Sequence, residues 1–198
     1  MYLNNPEYVK AGNKKYKINT DFRVAIECNE IAESSDVSDT ERPLAIIYKL
    51  FGDEGLDNPQ DWEKLLELAI KYLCLGKDLE DTEEERDMDL QKDRYYIRSS
   101  FIQDYKYNPY DMEYLHWWDF FNDLSNLSNS EFGNCCILNR VRNLRTMDVS
   151  KIKDWKEKNR ILKAKRQVSL IKEDDVEKEM TEEEKESQNR FYNALGGD

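Results

Sequence analysis

Apolar residues recur every three or four positions along much of the chain, which is the spacing of one buried helix face. This pattern predicts three helices in the first half of the sequence. Their apolar positions are, helix by helix, Phe22, Val24, Ile26 and Ile31; Leu44, Ile47, Tyr48 and Phe51; and Trp62, Leu65, Leu66, Ala69, Ile70 and Leu73. Asp21 or one of the two residues before it is expected to cap the first helix. Pro43 and Pro59 are expected in the first turns of the other two.

A short β-hairpin is predicted before the first helix, within residues 1–20. Tyr8-Val9-Lys10 and the segment from Lys14 to Ile18 are rich in residues that favour strands. Gly12 and Asn13 lie between them, and both tolerate positive φ, which tight hairpin turns require.

The most apolar stretch of the sequence is predicted to form the central helix, from Asp111 to Leu124. A helix from about Met88 to Tyr105 precedes it. The core face of the central helix is assigned to residues spaced by three, with Trp117 and Phe120 beside that face. The assigned residues are Met112, Leu115, Trp118, Phe121 and Leu124. After a break at 126–129, a sixth helix is expected to hold Phe132, Ile137, Leu138 and Val141.

Charge is distributed in blocks along the 198 residues, whose net charge is −12. Residues 140–166 carry eleven basic and three acidic residues, whereas the segments on either side are acidic. A basic helix is predicted over residues 148–168, with an apolar stripe so thin that the helix either projects from the body or packs on a partner. The acidic tail that follows, residues 169–198, is expected to be flexible, and whether it folds back over the basic helix stays open.

These patterns predict a mainly α protein of about six to seven helices with a short N-terminal hairpin. A single helical domain is expected over residues 1–168, made of the hairpin, a helical core over 21–145 and the basic helix. Aromatic residues are 12% of the chain, too many for a disordered acidic protein. The chain has only 7 Gly and 4 Pro, which is little material for the many tight turns of a β-sandwich.

The sequence offers no constellation of catalytic residues. His116 is the single histidine, and its acidic neighbours do not complete a triad, so a packed structural histidine is expected. Cys135 and Cys136 are adjacent, which suits neither a zinc site nor an ordinary disulfide. The acidic run from Asp78 to Asp89 lacks the spacing and glycine of a calcium loop. We therefore expect no enzyme activity and no cofactor or metal. No apolar run approaches 18 residues, so no membrane span is expected.

Three segments in order resemble the bacteriophage gene-product-fifteen family of phages and prophages of Gram-positive bacteria. They are Asn19-Thr20-Asp21-Phe22-Arg23, Tyr114-Leu115-His116-Trp117-Trp118-Asp119-Phe120 and Arg142-Asn143-Leu144-Arg145-Thr146-Met147-Asp148. The resemblance covers roughly residues 1–168. It implies a role in tail morphogenesis, as a tail assembly chaperone that coats the tape-measure protein until the tail tube polymerises around it.

The partners that this resemblance implies are the tape-measure protein, the tail-tube protein and a neighbouring tail chaperone, in the cytoplasm of the bacterial host. A homo-oligomer is a further expectation. The candidate contact elements are the face from Tyr114 to Leu124, if part of it is exposed, and the helix of Trp155. The candidate partner-binding residues are Trp117, Trp118, Phe121, Arg142, Arg145 and Trp155. A structural role in the tail tip or connector is the alternative, and an acidic host-directed regulator is a weaker one. Nucleic acid is not expected as a partner because the chain as a whole is acidic.

Overall fold

A computed structural model describes residues 5–77, 86–130 and 134–170. These residues form a mainly helical fold with one two-stranded antiparallel hairpin, which confirms the predicted fold class. The strands are β1 (Tyr8–Ala11) and β2 (Lys14–Lys17). The helices are α1 (Phe22–Glu33), α2 (Glu41–Phe51), the single turn α3 (Asp53–Leu56), α4 (Trp62–Leu73), α5 (Arg94–Tyr105), α6 (Trp117–Ser125), α7 (Ile137–Thr146) and α8 (Trp155–Val168). Single 3-10 turns occur at Pro59–Asp61 and Pro109–Asp111.

The N-terminal hairpin packs its inner face on the helices. Gly12, in the turn, has a φ of +55°, and a Cβ at this position would lie 2.9 Å from a carboxylate oxygen of Asp61. Tyr16 is fully buried, and its hydroxyl donates to that carboxylate over 2.7 Å. Gly12 and Tyr16 thus both contact Asp61, the residue just before α4, and these contacts hold the hairpin against the helices.

A column of stacked phenylalanines forms the centre of the core. The ring of Phe120 from α6 stacks on Phe22 of α1 at a centroid distance of 4.4 Å and on Phe101 of α5 at 5.5 Å. All three side chains are fully buried. Asp21, one of the three predicted candidates, caps α1, because its side chain accepts a hydrogen bond from the backbone N–H of Arg23 over 2.9 Å.

The central helix differs from its prediction. It begins at Trp117 rather than Asp111, because Pro109 starts a 3-10 turn and His116 adopts the extended backbone of a helix N-cap. The buried residues of α6 are Trp117, Phe120 and Leu124. A helix rotates 100° per residue, so a spacing of three drifts by 60° at each step, and five such positions cannot share one face. The assigned face was therefore wrong in its centre, because Trp117 and Phe120 are buried and Met112 is exposed. Leu124 is buried as predicted, and Leu115, Trp118 and Phe121 pack half-buried against the core.

The helix that was predicted to begin near Met88 begins at Arg94. The preceding residues form a turn in which the buried Asp93 carboxylate accepts the backbone N–H of Asp89 over 3.0 Å. Downstream, the Ser100 hydroxyl accepts the backbone N–H of Leu138 over 3.0 Å and so attaches α5 to the start of α7. Phe132, which was predicted to belong to that last helix, lies outside the described residues.

The chain divides into two compact units, residues 1–140 and 141–198. The extent of the predicted single domain, residues 1–168, stays a prediction. The acidic tail lies outside the described residues from position 171 onwards, as does the acidic run over 78–85. None of the helices described here is both long and apolar enough to cross a bilayer.

Candidate partner-binding surface

The two adjacent tryptophans of the predicted site attach α6 to the end of α4. The indole N–H of Trp117 donates to the carbonyl of Leu73, and that of Trp118 donates to the carbonyl of Tyr72, each over 3.1 Å. The last carbonyls of a helix lack partners within it, so these two bonds satisfy the C-terminus of α4. Trp118 also stacks on Tyr72 and covers Gly76, whose added Cβ would lie 3.4 Å from the indole.

The burial of these side chains separates their roles. Trp117 is 1% exposed and packs edge-on against Phe121 at 5.3 Å. Trp118 and Phe121 are half-buried. Trp117 is therefore a core residue that offers no surface to a partner, whereas Trp118 and Phe121 keep part of their area accessible.

The other predicted site residues belong to the second unit. The Arg145 Nε donates to the carbonyl of Val168 over 2.6 Å, which attaches the end of α7 to the end of α8. Arg142 is half-buried on α7. Trp155, the first residue of α8, is 70% exposed. That these residues contact a partner stays a prediction.

A surface that the sequence predicted only in part, through Tyr114, lies on the first unit. This side chain is 52% exposed and lines two adjoining grooves, of about 780 and 730 Å³. Tyr48 of α2 lines the first groove, and Tyr8 of β1 lines the second. Both are also exposed. We call Tyr8, Tyr48 and Tyr114 the tyrosine surface.

The backbone around Tyr114 is held firmly although its ring faces solvent. Leu115 O accepts the backbone N–H of Phe22 over 2.9 Å, and Thr20 O accepts that of Trp117 over 2.8 Å. The Tyr114 hydroxyl pairs with the Thr20 hydroxyl at 2.7 Å. On the other side of the loop, the Arg23 guanidinium donates to the carbonyl of Met112. An exposed aromatic ring on an ordered backbone loses little entropy on binding, which favours a protein contact.

His116 completes this arrangement as a structural residue. Its Nδ1 accepts the backbone N–H of Trp118 over 3.0 Å, so the ring caps α6. An Nδ1 that accepts requires the proton on Nε2, which lies 3.4 Å from the carbonyl of Pro6. The ring is 6% exposed and meets Tyr72 edge-on. Its hydrogen-bonding capacity is therefore directed to the fold.

Charge in the larger groove is mixed and partly paired. Lys49 donates to Glu27 over 2.6 Å, and this bond raises the pKa of the Lys49 ammonium. On α1, next to Glu27 in sequence, burial raises the pKa of the Cys28 thiol to about 12, so it stays protonated and unreactive. Exposed tyrosines with paired charges around them are typical of protein interfaces, in which aromatic residues are enriched and net charge is low.

The sequence pattern missed the contribution of Tyr48 to this surface for an identifiable reason. Tyr48 was assigned to the buried face of its helix, but the buried residues of α2 are Ile46, Ile47, Leu50 and Phe51. Tyrosine suits either a half-buried or an exposed position, so its presence at helical spacing does not decide the face. Tyr114 stands at the start of the predicted Tyr114–Leu124 contact face, and that part of the face is exposed.

In the described ranges, no three His, Cys, Asp or Glu side chains converge in a way that could hold a metal ion. The four cysteines are free thiols. These observations leave the tyrosine surface as the feature of the first unit with the clearest binding chemistry.

Comparisons with known proteins identify the chain by its sequence. No curated protein and no solved structure matches it. A family model described as Bacteriophage Gp15 protein matches residues 4–170, which is most of the chain and takes in the hairpin, the helices and the tyrosine surface. The chain therefore belongs to the Bacteriophage Gp15 protein family.

Proposed function

We propose that this phage protein is a non-enzymatic tail assembly factor. In this proposal it acts as a tail assembly chaperone that binds the tape-measure or tail-tube protein in the bacterial host cytoplasm. The observation that carries the proposal is the tyrosine surface, in which Tyr114 stands on a rigid loop between two grooves. Family membership supports a phage role, and the exposed aromatic surface supports protein binding rather than chemistry on a small molecule.

The physical reason for such a chaperone lies in the surface of the proposed partner, the tape-measure protein. A tape measure is a long helical protein with exposed apolar stripes, and such stripes aggregate unless another surface covers them. Tyr114, with Tyr48 and Tyr8 in the grooves beside it, presents exposed apolar ring area together with one polar hydroxyl on each ring. Such a surface can cover an amphipathic helix and release it again, because its unbound state is not itself driven to aggregate.

The test is co-expression of the full chain with the tape-measure protein of the same phage. A soluble stoichiometric complex is expected by size-exclusion chromatography with light scattering, against an insoluble tape measure when expressed alone. Tyr114→Ala is expected to abolish the complex while leaving the far-UV circular dichroism unchanged. Tyr95→Ala is the matched control, because Tyr95 is an exposed tyrosine on α5 that lines neither groove.

Two results would contradict the proposal. If Tyr95→Ala weakens the complex as much as Tyr114→Ala, the tyrosine surface is not the contact. If the full chain forms no complex with the tape measure or tube protein and is recovered in purified tails, it is a structural component of the virion instead.

A further inference from the structure

Helix α8 presents a cationic face to solvent. Its half-buried residues follow one stripe, and they are Lys158, Ile161, Leu162, Ala164, Lys165 and Val168. At 100° per residue, the opposite side is centred on Lys163 and carries Lys156, Arg160 and Arg166 as well. These four cations are exposed, and the two other polar residues among them are the uncharged Asn159 and Gln167. Trp155 stands at the N-terminal end of this side.

The four cations have no ion-pair partner in the part of the chain that the structure describes. Other charged residues of the second unit do pair, since Lys151 lies 3.4 Å from Asp148. The one acidic residue of α8 is Glu157, which lies away from the cationic face and whose backbone N–H is bonded by the Asp154 cap over 2.7 Å. Cations at axial intervals of about 4.5–6 Å along one face form a linear site for a polyanionic segment.

A complementary segment follows directly in the sequence. Residues 173–186 carry nine acidic and two basic side chains and begin five positions after the end of α8. The 14 residues of α8 span about 21 Å, whereas the same number of extended residues reaches about 46 Å. The segment is therefore long enough to follow the helix back along its whole length.

We propose that the cationic face of α8, formed by Lys156, Arg160, Lys163 and Arg166, is a docking site for the chain's own acidic segment, residues 173–186. Tethering so close to the site gives the segment an effective concentration on the order of millimolar, which exceeds that of a free acidic partner. An acidic partner must then displace this segment to reach α8. Nucleic acid is disfavoured because it would compete with the tethered segment and approach a chain of net charge −12.

The test measures how fast lysine amines are acetylated in the full-length chain at low salt, read by peptide mass spectrometry. In the variant Glu182→Gln, Glu183→Gln, Glu184→Gln, acetylation of Lys156 and Lys163 is expected to be roughly threefold faster, if about two thirds of the chains are covered. High salt is expected to raise the same rates in the unmodified chain. Lys10, which is exposed on β1, reports the reagent's intrinsic rate and should not change.

A matched variant separates contact from net charge. Glu30→Gln, Asp36→Asn, Asp57→Asn removes three exposed carboxylates from the first unit, the same charge as the tail variant loses. The proposal is wrong if this variant accelerates acetylation of Lys156 and Lys163 equally, or if the tail variant changes nothing. Protection that disappears on dilution would assign the site to the tail of a second copy. Protection that appears only on addition of duplex DNA would make the face a nucleic-acid site.

Discussion

The two indole hydrogen bonds to the end of α4 differ in whether the acceptor carbonyl keeps another hydrogen-bond donor when the indole N–H is removed. Trp117→Phe and Trp118→Phe each delete one N–H and keep an aromatic ring. The carbonyl of Tyr72 also accepts the backbone N–H of Leu75 over 3.1 Å, so it retains a partner when Trp118 is changed. Within the described residues, the carbonyl of Leu73 is bonded only by Trp117. The same substitution therefore has unequal consequences at the two neighbouring positions.

The expected losses of unfolding free energy follow from the burial of each indole and from the Leu73 carbonyl that Trp117→Phe leaves unpaired. Trp117 is 1% exposed, so its replacement leaves a small cavity in the core and an unpaired carbonyl, together about 2–4 kcal/mol of unfolding free energy. Trp118 is half-buried and its acceptor stays bonded, so the loss is about 0.5–1.5 kcal/mol. We expect Trp117→Phe to be the more destabilising by about 2 kcal/mol, the difference between the centres of the two ranges.

The assay is urea unfolding of the full chain followed by circular dichroism at a helical band, since both variants remove a fluorophore. Midpoints and slopes should be compared, because only an unchanged slope assigns the difference to the folded state. Equal losses, or a larger loss for Trp118→Phe, would refute the reasoning that the unpaired Leu73 carbonyl and the core cavity dominate.

Three further predictions concern two thiols and one helix cap of the first unit. The Cys28 thiol ionises near its ordinary 9.0 in the unfolded chain but at about 12 when folded, so stability should fall as pH rises through this window. In Cys28→Ala, the fall measured by urea unfolding should be shallower by about 1.4 kcal/mol per pH unit, and an identical slope would exclude this thiol as a cause. His116→Ala should lower the unfolding free energy by about 0.5–2 kcal/mol through loss of the α6 cap, and His116→Asn should recover part of it; no difference between the two would argue against capping. Under native conditions iodoacetamide should alkylate the half-buried Cys135 well before the buried Cys28, and the two should react alike in urea; early alkylation of Cys28 would show that its helix opens readily.

Features fixed by local chemistry could be predicted from the sequence. The turn at Gly12 and the cap at Asp21 each depend on a few neighbouring residues. The turn was placed correctly, and the cap is one of the three candidates. The helical class followed equally from spacing and composition. These features need no knowledge of which distant segments meet.

Features fixed by distant contacts could not be predicted in the same way. The start of α6 depends on the bridge between Asp21 and His116, which are far apart in the sequence. In the sequence alone, where this bridge is not visible, Met112 and Leu115 look like the first turns of the helix that contains Trp117. The exposure of Tyr48 likewise depends on which side of α2 packs against α1 and α4, and its spacing alone fits either side.

The His116-Trp117-Trp118 motif holds the backbone next to Tyr114 in place, and we expect Tyr114 rather than the motif to contact the partner. Its three side chains cap α6 and bind the end of α4, and the backbone just before it is held to α1. Substituting any of the three should therefore impair partner binding through the fold, with loss of stability and loss of binding occurring together. Only a residue that contacts the partner without supporting the fold can separate the two effects. Tyr114 comes closest to this condition, because its ring is half exposed and its hydroxyl bonds the Thr20 hydroxyl rather than a helix end.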